Sequence, residues 1–258
     1  MAFYKVIASG NVLEVYEYEK LPQTTEKIRK DSEKHNEYEK IILGNDDKNW
    51  IHEKEDRTDE RRKQTMREAR NKTRRLALMN FGQGDTFITL TYAENMQDIE
   101  KADRDFKKFI QRFKYRYSDL KYIAVREFQK RGAIHFHMIC NWNAGLNDEE
   151  GIKEKERWFG EQLWGRGSVD IKVLDGIDNI GAYLIKYMTK NISIEAFKGK
   201  KAYLCSKGLD KPVEYRGDEA EAILEAYGLK DKKEVFTNSY ISGYLGNINY
   251  KEFNLRRL

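Results

Sequence analysis

The sequence has few cysteines, few prolines and no long apolar run. Only two cysteines occur among the 258 residues, Cys140 and Cys205, and they lie far apart. This excludes a disulfide scaffold and a cysteine-based zinc cluster, and it fits a reducing compartment. There are two prolines, and no apolar run approaches the roughly 18 residues of a membrane span. No signal peptide is evident after Met1, so we expect no membrane partner and a cytoplasmic location.

Charge is what the chain has in abundance. Charged residues make up 35% of the sequence and the net charge is +5, whereas about 25% is typical of soluble proteins. Residues 61–75 contain eight basic residues and one acidic residue. Such a run is common on a solvated helix face, but several basic runs interleaved with Tyr and Phe favour a nucleic-acid partner. The candidate DNA contacts in this run are Arg61, Arg62, Arg67, Arg70, Arg74 and Arg75.

The order of the hydrophobic segments predicts an α+β fold. Four segments after residue 80 are rich in β-branched and aromatic residues, and three others repeat apolar residues at helical spacing. The predicted strands are Thr86–Tyr92, Lys121–Phe128, Ala133–Asn141 and Val169–Val173, and the predicted helices cover residues 98–117, 149–163 and 176–191. This order indicates a central antiparallel sheet with helices packed on one face, in a ferredoxin/RRM-like layout.

Additions are expected at both ends of this core. A hairpin is predicted from Tyr4–Ala8 and Val12–Tyr18, and a long basic helix over residues 54–80. The predicted division is residues 1–80 as an N-terminal hairpin and basic helical region, residues 81–200 as the core, and residues 201–258 as a C-terminal accessory region.

Two histidines in a predicted core strand give the first chemical signal. Residues two apart in a strand point to the same face, so His135 and His137 lie side by side while Phe136 points away. By itself, a His-x-His pair is equally compatible with two ordinary strand histidines and with a pair of metal ligands.

A nearby carboxylate favours the metal-ligand interpretation. If the chain turns about Arg131, Glu127 lies directly opposite His135, with Cβ atoms about 5 Å apart. Two imidazoles and one carboxylate, with positions left open, suit a catalytic divalent cation such as Mg²⁺ or Mn²⁺; the imidazoles also suit Zn²⁺. The alternative for Glu127 is an exposed strand carboxylate without a ligand.

The segment Gly181–Lys190 supplies two phenols and two ammonium groups. Positions four apart on a helix are neighbours, so Tyr183 lies beside Tyr187 and Lys186 beside Lys190. An amphipathic helix with packed tyrosines has the same spacing. Next to a metal site, a phenol is also a plausible nucleophile toward a DNA phosphodiester, because its attack conserves the bond energy in a phosphotyrosine ester. An adjacent lysine would favour the ionised phenol.

Three segments together resemble HUH endonucleases of the rolling-circle replication initiator (Rep) type found in phages and plasmids. Phe87–Tyr92 (FITLTY) is similar to the first motif of that family, a strand beside the active site. Ala133–Ile139 (AIHFHMI) resembles its His-hydrophobic-His motif, and Glu127 falls where these proteins place an acidic metal ligand. Tyr183–Lys190 (YLIKYMTK) is similar to the third motif in its two-tyrosine form. The motifs span under half of the chain.

The resemblance implies a role for each matching residue. A divalent metal would be held by His135, His137 and Glu127, and the nucleophiles would be Tyr187 and Tyr183, with Lys186 and Lys190 beside them. It also implies the activity: one strand is nicked at an origin, the protein stays on the 5′ phosphate, and a 3′ hydroxyl is left as a primer. The second tyrosine then cuts the regenerated origin and the ends are rejoined. We expect Tyr187 to act first.

The resemblance also implies partners. These are single-stranded or hairpin origin DNA and the polymerase and helicase of a bacterial host, in whose cytoplasm the protein would act. The sequence lacks the Gly-x-x-x-x-Gly-Lys-Ser/Thr pattern of a phosphate-binding loop. We therefore expect unwinding to come from a host helicase or from supercoiling.

Other functions are compatible with parts of the pattern. A relaxase or single-strand transposase of the same superfamily is one, although relaxases usually carry three clustered histidines and an N-terminal tyrosine. A non-catalytic protein that binds the origin or single-stranded DNA would keep the fold, but it would be expected to lose a tyrosine or a ligand. A sheet-based RNA-binding module would need aromatic residues where His135 and His137 lie.

Overall fold

The computed structural model describes residues 3–20, 47–143, 148–188, 200–243 and 245–257. Ten strands lie within these residues: β1 (Phe3–Ser9), β2 (Val12–Tyr18), β3 (Thr86–Thr91), β4 (Tyr122–Phe128), β5 (Ile134–Cys140), β6 (Val169–Val173), β7 (Tyr203–Cys205), β8 (Val213–Arg216), β9 (Phe236–Ser242) and β10 (Gly246–Asn254). The α-helices of the same residues are α1 (Asp47–Asn80), α2 (Ile99–Arg116), α3 (Glu149–Trp158), α4 (Ile180–Ile185) and α5 (Asp218–Ala226). Helix α3 continues as a π-helix over Phe159–Trp164.

The chain forms two compact units. One unit combines Met1–Arg61 with Pro212–Leu258, and in its described residues β1 pairs with β8 and β2 pairs with β10. The result is an antiparallel sheet in the order β8-β1-β2-β10-β9, with α5 packed on one face around Val6, Leu13 and Phe253. Strands from both ends of the sequence therefore share one sheet. The boundaries at residues 80 and 200 stay predictions.

The second unit, Arg62–Lys211, contains an antiparallel sheet in the order β6-β3-β5-β4-β7. On one face, α2, α3 and the π-helix pack around residues such as Phe106, Phe136 and Trp164. On the other face, the C-terminal part of α1 and helix α4 pack around Phe87 and Ile139. The expectation that helices cover one face is therefore wrong, because alternate residues of β3, β4 and β5 supply apolar side chains to both faces.

Helix α2 shows how local signals and buried charge combine. Its N-cap, Asp98, accepts hydrogen bonds from the backbone N–H groups of Glu100 and Lys101, which would otherwise lack partners in the first turn. Arg126 of β4 is buried beneath the helix, and its guanidinium lies 2.6 Å from Asp103 of α2. It also donates to the carbonyl oxygen of Lys201 at 2.9 Å. This arginine ties the sheet to α2 and to the segment that leads into β7.

The predicted α+β class with an antiparallel sheet is confirmed. The last core strand has the predicted bounds, and the other three begin or end within a residue or two of them. The helix predicted over residues 176–191 begins later, at Ile180, because the side chain of Asn179 caps it by accepting from the N–H of Ala182 at 2.8 Å. Among the described helices, none is long and apolar enough to cross a bilayer.

Candidate active site

The two histidines emerge on one face of the sheet, as the strand period predicts. In the register of β5, His135 is paired with Glu127 of β4, and His137 is paired with Thr89 of β3. Directly opposed residues share a face. Glu127, His135, His137 and Thr89 therefore project toward α4 rather than toward α2, and the predicted opposition of Glu127 and His135 is confirmed.

His137 is fixed at both ring nitrogens. Its Nε2 lies 2.7 Å from Oε2 of Glu127, and its Nδ1 lies 3.2 Å from Oγ1 of Thr89. The side chain is buried, and this burial lowers the pKa of His137 despite the opposing effect of the Glu127 carboxylate. A neutral imidazole satisfies both contacts by donating from Nε2 to Glu127 and accepting from the Thr89 hydroxyl.

His135 has an unsatisfied ring nitrogen. The residue is 8% exposed, and within the described residues its Nε2 is buried without a hydrogen-bond partner. Burial, with a contribution from the nearby charge of Arg131, lowers the pKa of His135. A buried polar atom without a partner costs about 1–3 kcal/mol. In the neutral tautomer protonated at Nδ1, the free electron pair of Nε2 is available to a ligand.

The donor atoms of Glu127, His135 and His137 are of the kinds that bind a divalent cation. The orphaned Nε2 of His135 supplies a nitrogen, His137 a second, and Glu127 a carboxylate, a combination suited to Mn²⁺ or Mg²⁺ with further oxygen ligands. Among the residues that the structure describes, no three His, Cys, Asp or Glu side chains are already gathered around one point as a complete metal site. In this state Glu127 bonds to His137 instead.

Tyr183 of α4 and Tyr187 of the turn after it lie next to Phe87 and His137. The ring of Tyr187 stacks on that of His137, with centroids 3.7 Å apart and planes inclined by 22°. Phe87 of β3 contacts both phenol rings, Tyr183 at 4.9 Å and Tyr187 at 5.5 Å. The two phenol rings are themselves 6.1 Å apart. The structure therefore brings together the two tyrosines and the histidines, which are about 50 residues apart in sequence.

Lys186 is the remaining predicted active-site residue in the part of the chain that the structure describes. Its Nζ lies over the ring of Tyr183 at 3.7 Å and over the ring of Tyr187 at 4.8 Å from the centroids, both within cation–π range. Burial, followed by a hydrogen bond between the two phenols, raises the pKa of Tyr183, while the charge of Lys186 opposes this shift. The other predicted lysine, Lys190, lies outside the described residues.

Three neighbours of this group were not singled out from the sequence as site residues. Phe87 and Thr89 are two residues apart on β3, so the strand period predicts that both lie on one face. Lys172 of β6 is paired with Phe87 across the sheet, and its charge interacts with both phenols. No sequence signal identifies Lys172, because its position depends on β6 being the neighbour of β3.

The candidate DNA-binding arginines lie along α1 at different depths. Arg61 and Arg67 are exposed, Arg62, Arg70 and Arg75 are half-buried, and Arg74 is buried. The C-terminal part of α1 joins the apolar cluster that contains Tyr183 and Tyr187. Arg67 and Arg70 therefore belong to a helix that packs on the same face of the sheet as the tyrosines.

Comparison with known proteins finds one family match. Residues 85–192 match a family model whose description begins "Replication-associated protein ORF2". The matched segment spans less than half of the chain. It contains the candidate metal ligands and the candidate nucleophiles with their lysines: Glu127, His135, His137, Lys172, Tyr183, Lys186, Tyr187 and Lys190. No curated protein and no solved structure matches the chain significantly. The family match supports a replication-associated protein of the initiator (Rep) type.

Proposed function

We propose that this protein initiates rolling-circle replication by nicking one DNA strand at an origin and joining itself to the new 5′ end. The observation that carries the proposal is the stacking of Tyr187 on His137 at 3.7 Å, with Lys186 beside both phenols. Phosphodiester transfer needs a nucleophile, a positive charge near it and a metal site. A phenol, a lysine and a set of metal-ligand donors lie close together here. The family match adds the replication context.

The proposed step is a transesterification. The phenolate oxygen of a tyrosine attacks the phosphorus of a DNA phosphodiester, and a bond from that oxygen to phosphorus forms. The bond between phosphorus and the 3′ oxygen breaks, and this oxygen takes up a proton to become the 3′ hydroxyl. The number of phosphate ester bonds is unchanged, so the step needs no external energy source and can be reversed to rejoin the strand.

The residues of the chain have separate roles in this step. Lys186 stabilises the ionised phenol, whose ordinary pKa is about 10. Without metal, Glu127 bonds to Nε2 of His137 and Thr89 to Nδ1. Metal binding would replace the bond between Glu127 and His137, and Thr89 would continue to orient the ring through Nδ1. When bound by Glu127, His135 and His137, Mn²⁺ or Mg²⁺ would polarise the phosphoryl oxygens and stabilise the charge that develops in the transition state.

The two tyrosines allow two successive transfers. We propose that Tyr187 makes the first cut, because its ring lies directly on His137, and that Tyr183 cuts the regenerated origin. The released 3′ hydroxyl would prime a host polymerase, and a host helicase would separate the strands. Lys190, which follows Tyr187 by three residues, is proposed as a second cation in this reaction.

A covalent-adduct assay tests the function. The protein is incubated with Mn²⁺ and a pool of labelled single-stranded oligonucleotides from its own replicon, then separated on a denaturing gel. We expect a band that resists denaturation, disappears with protease and does not form with a chelator. Tight DNA binding without such a band, for every DNA and metal tried, would instead support a non-catalytic origin-binding protein.

Metal binding can be measured without reference to catalysis. We expect Mn²⁺ at about 100 times its dissociation constant to increase the free energy of unfolding by about 2.7 kcal/mol. His135→Ala and Glu127→Gln should lose this increase, because each removes a donor, and thermal unfolding with and without Mn²⁺ measures it. Glu161→Gln, an exposed change on the π-helix, is the matched control. Equal stabilisation of the wild type and His135→Ala would contradict the assigned ligands.

A further inference from the structure

A lysine outside the tyrosine segment lies on the same face of the sheet as the candidate active site. Lys172 is on β6, the edge strand, and its register partner on β3 is Phe87. Directly opposed residues point to the same face. The ring of Phe87 contacts those of Tyr183 and Tyr187. Lys172 therefore leaves the sheet next to the residue that supports both phenols.

The ammonium group of Lys172 is held by a weak ion pair. Its Nζ is 3.4 Å from Oδ1 of Asp170, and the two side chains are 59% and 51% exposed. Exposed ion pairs contribute only about 0–1 kcal/mol, so a phosphate oxygen can replace the carboxylate at little cost. The charge of Asp170, supported by the two phenols, raises the pKa of Lys172, which keeps the ammonium charged.

Lys186 and Lys172 belong to different elements of the fold. The Nζ of Lys186 lies over the faces of both phenol rings, where it acts on the nucleophiles themselves. Lys172 lies on β6, the edge strand of the sheet, and its side chain is 59% exposed. The phenols therefore interact with one cation at the end of α4 and with one from β6.

We infer that Lys172 binds a backbone phosphate of the single-stranded DNA substrate, beside the phosphate that the tyrosines attack. This inference rests on the proposed nicking function and adds a substrate contact to it. When DNA binds, the ammonium exchanges Asp170 for a phosphate oxygen, and the negative strand is guided over the β6 edge toward Tyr183 and Tyr187. A fixed positive charge at this point also favours the charge that develops during attack.

The test uses four variants of the full chain: Lys172→Gln, Lys172→Arg, Asp170→Asn and the control Lys121→Gln. Lys121 is a matched control because it also forms an exposed ion pair with an aspartate, Asp210, at 4.0 Å. It precedes β4, at the opposite end of that strand from Glu127. Two quantities are measured: the affinity for fluorescein-labelled oligothymidylate over a series of salt concentrations, and the rate of covalent adduct formation with the oligonucleotide pool.

Loss of one phosphate contact has a characteristic signature. For Lys172→Gln we expect the slope of log affinity against log salt to become shallower by about 0.7, the value for one phosphate on a single strand. We also expect adduct formation to slow by about tenfold or more. Lys172→Arg should retain both properties, and Lys121→Gln should leave both unchanged. Asp170→Asn should increase affinity at low salt, because it removes the competing carboxylate.

The outcomes separate this inference from the proposed function. If the wild type forms the adduct but Lys172→Gln has the wild-type salt slope and rate, Lys172 does not contact the DNA and the inference is overturned. If the wild type forms no adduct, the nicking function fails. In that case the slope of Lys172→Gln alone decides whether Lys172 is a DNA contact.

Discussion

Tyr187→Phe is expected to reduce formation of the covalent DNA adduct by about 1,000-fold or more. Removal of a covalent nucleophile removes the reaction route itself rather than one stabilising interaction. Phenylalanine keeps the ring that stacks on His137, with centroids 3.7 Å apart in the wild type, so the fold and the apolar cluster should be unchanged. The measurement is the band intensity in the adduct assay as a function of time.

The companion variants assign the two tyrosines. Tyr183→Phe is expected to retain the first adduct but to lose rejoining of the ends, since the second transfer has no nucleophile. It also removes the hydrogen bond between the two phenols, so a moderate decrease in the first rate is expected. Tyr115→Phe on α2, where the tyrosine is 90% exposed, is the control and should match the wild type.

Two results would change this assignment. Loss of the first adduct in Tyr183→Phe, with full activity in Tyr187→Phe, would reverse the order in which the tyrosines act. Full nicking by the double variant would eliminate tyrosine chemistry altogether. The order is therefore decided by the two single variants and the mechanism by the double variant.

Gly181→Ala is expected to displace α4, which carries Tyr183 and leads into the turn that carries Tyr187. A Cβ atom at this position would lie 2.4 Å from the carbonyl oxygen of Arg74 and 2.8 Å from its Cγ. Because the nearer atom belongs to the backbone of α1, it cannot rotate away, so α4 or α1 must move. Overpacking of this kind costs about 1–3 kcal/mol in the free energy of unfolding. Since Tyr183 and Tyr187 lie two and six residues after Gly181, we also expect a clear loss of adduct formation.

Denaturant unfolding and the adduct assay measure the two consequences. Gly82→Ala is the matched control, because a Cβ there would have no atom within 4 Å, and its stability should stay within about 0.5 kcal/mol of the wild type. A Gly181→Ala protein with wild-type stability and wild-type adduct formation would show that the close packing of α1 on α4 is not required. Reduced activity at unchanged stability would locate the effect in the positions of the tyrosines.

Several features of the site follow from local rules and were predictable. The strand period places His135 and His137 on one face, and the tight turn ending at Gly132, where φ is +84°, places Glu127 opposite His135. Glycine adopts this positive φ without strain, which fixes the register of the hairpin. The helical spacing of Tyr183 and Tyr187 likewise requires only the geometry of one or two turns.

The predicted bounds of the helix that carries the tyrosines were wrong. Hydrogen bonds of individual groups, rather than the apolar periodicity, set where this helix begins and ends. The apolar pattern continues before Ile180, but the side chain of Asn179 satisfies a free N–H and begins α4 there. After Ile185 the N–H of Tyr187 bonds to the carbonyl oxygen of Leu184, a tighter turn than that of an α-helix. This turn sets the relative orientation of the two phenols, and the spacing alone does not predict it.

The sequence by itself therefore determined the α+β class, the shared face of the histidines and the candidate nucleophiles. Only the tertiary structure decided which residues meet: Tyr187 on His137, Thr89 on the second nitrogen of that ring, Lys172 beside Phe87, and α4 against α1 at Gly181. The physical reason is that periodicity fixes the direction of a side chain relative to its own element. Strand order and helix packing depend on contacts between residues far apart in the chain, and these contacts leave no local pattern.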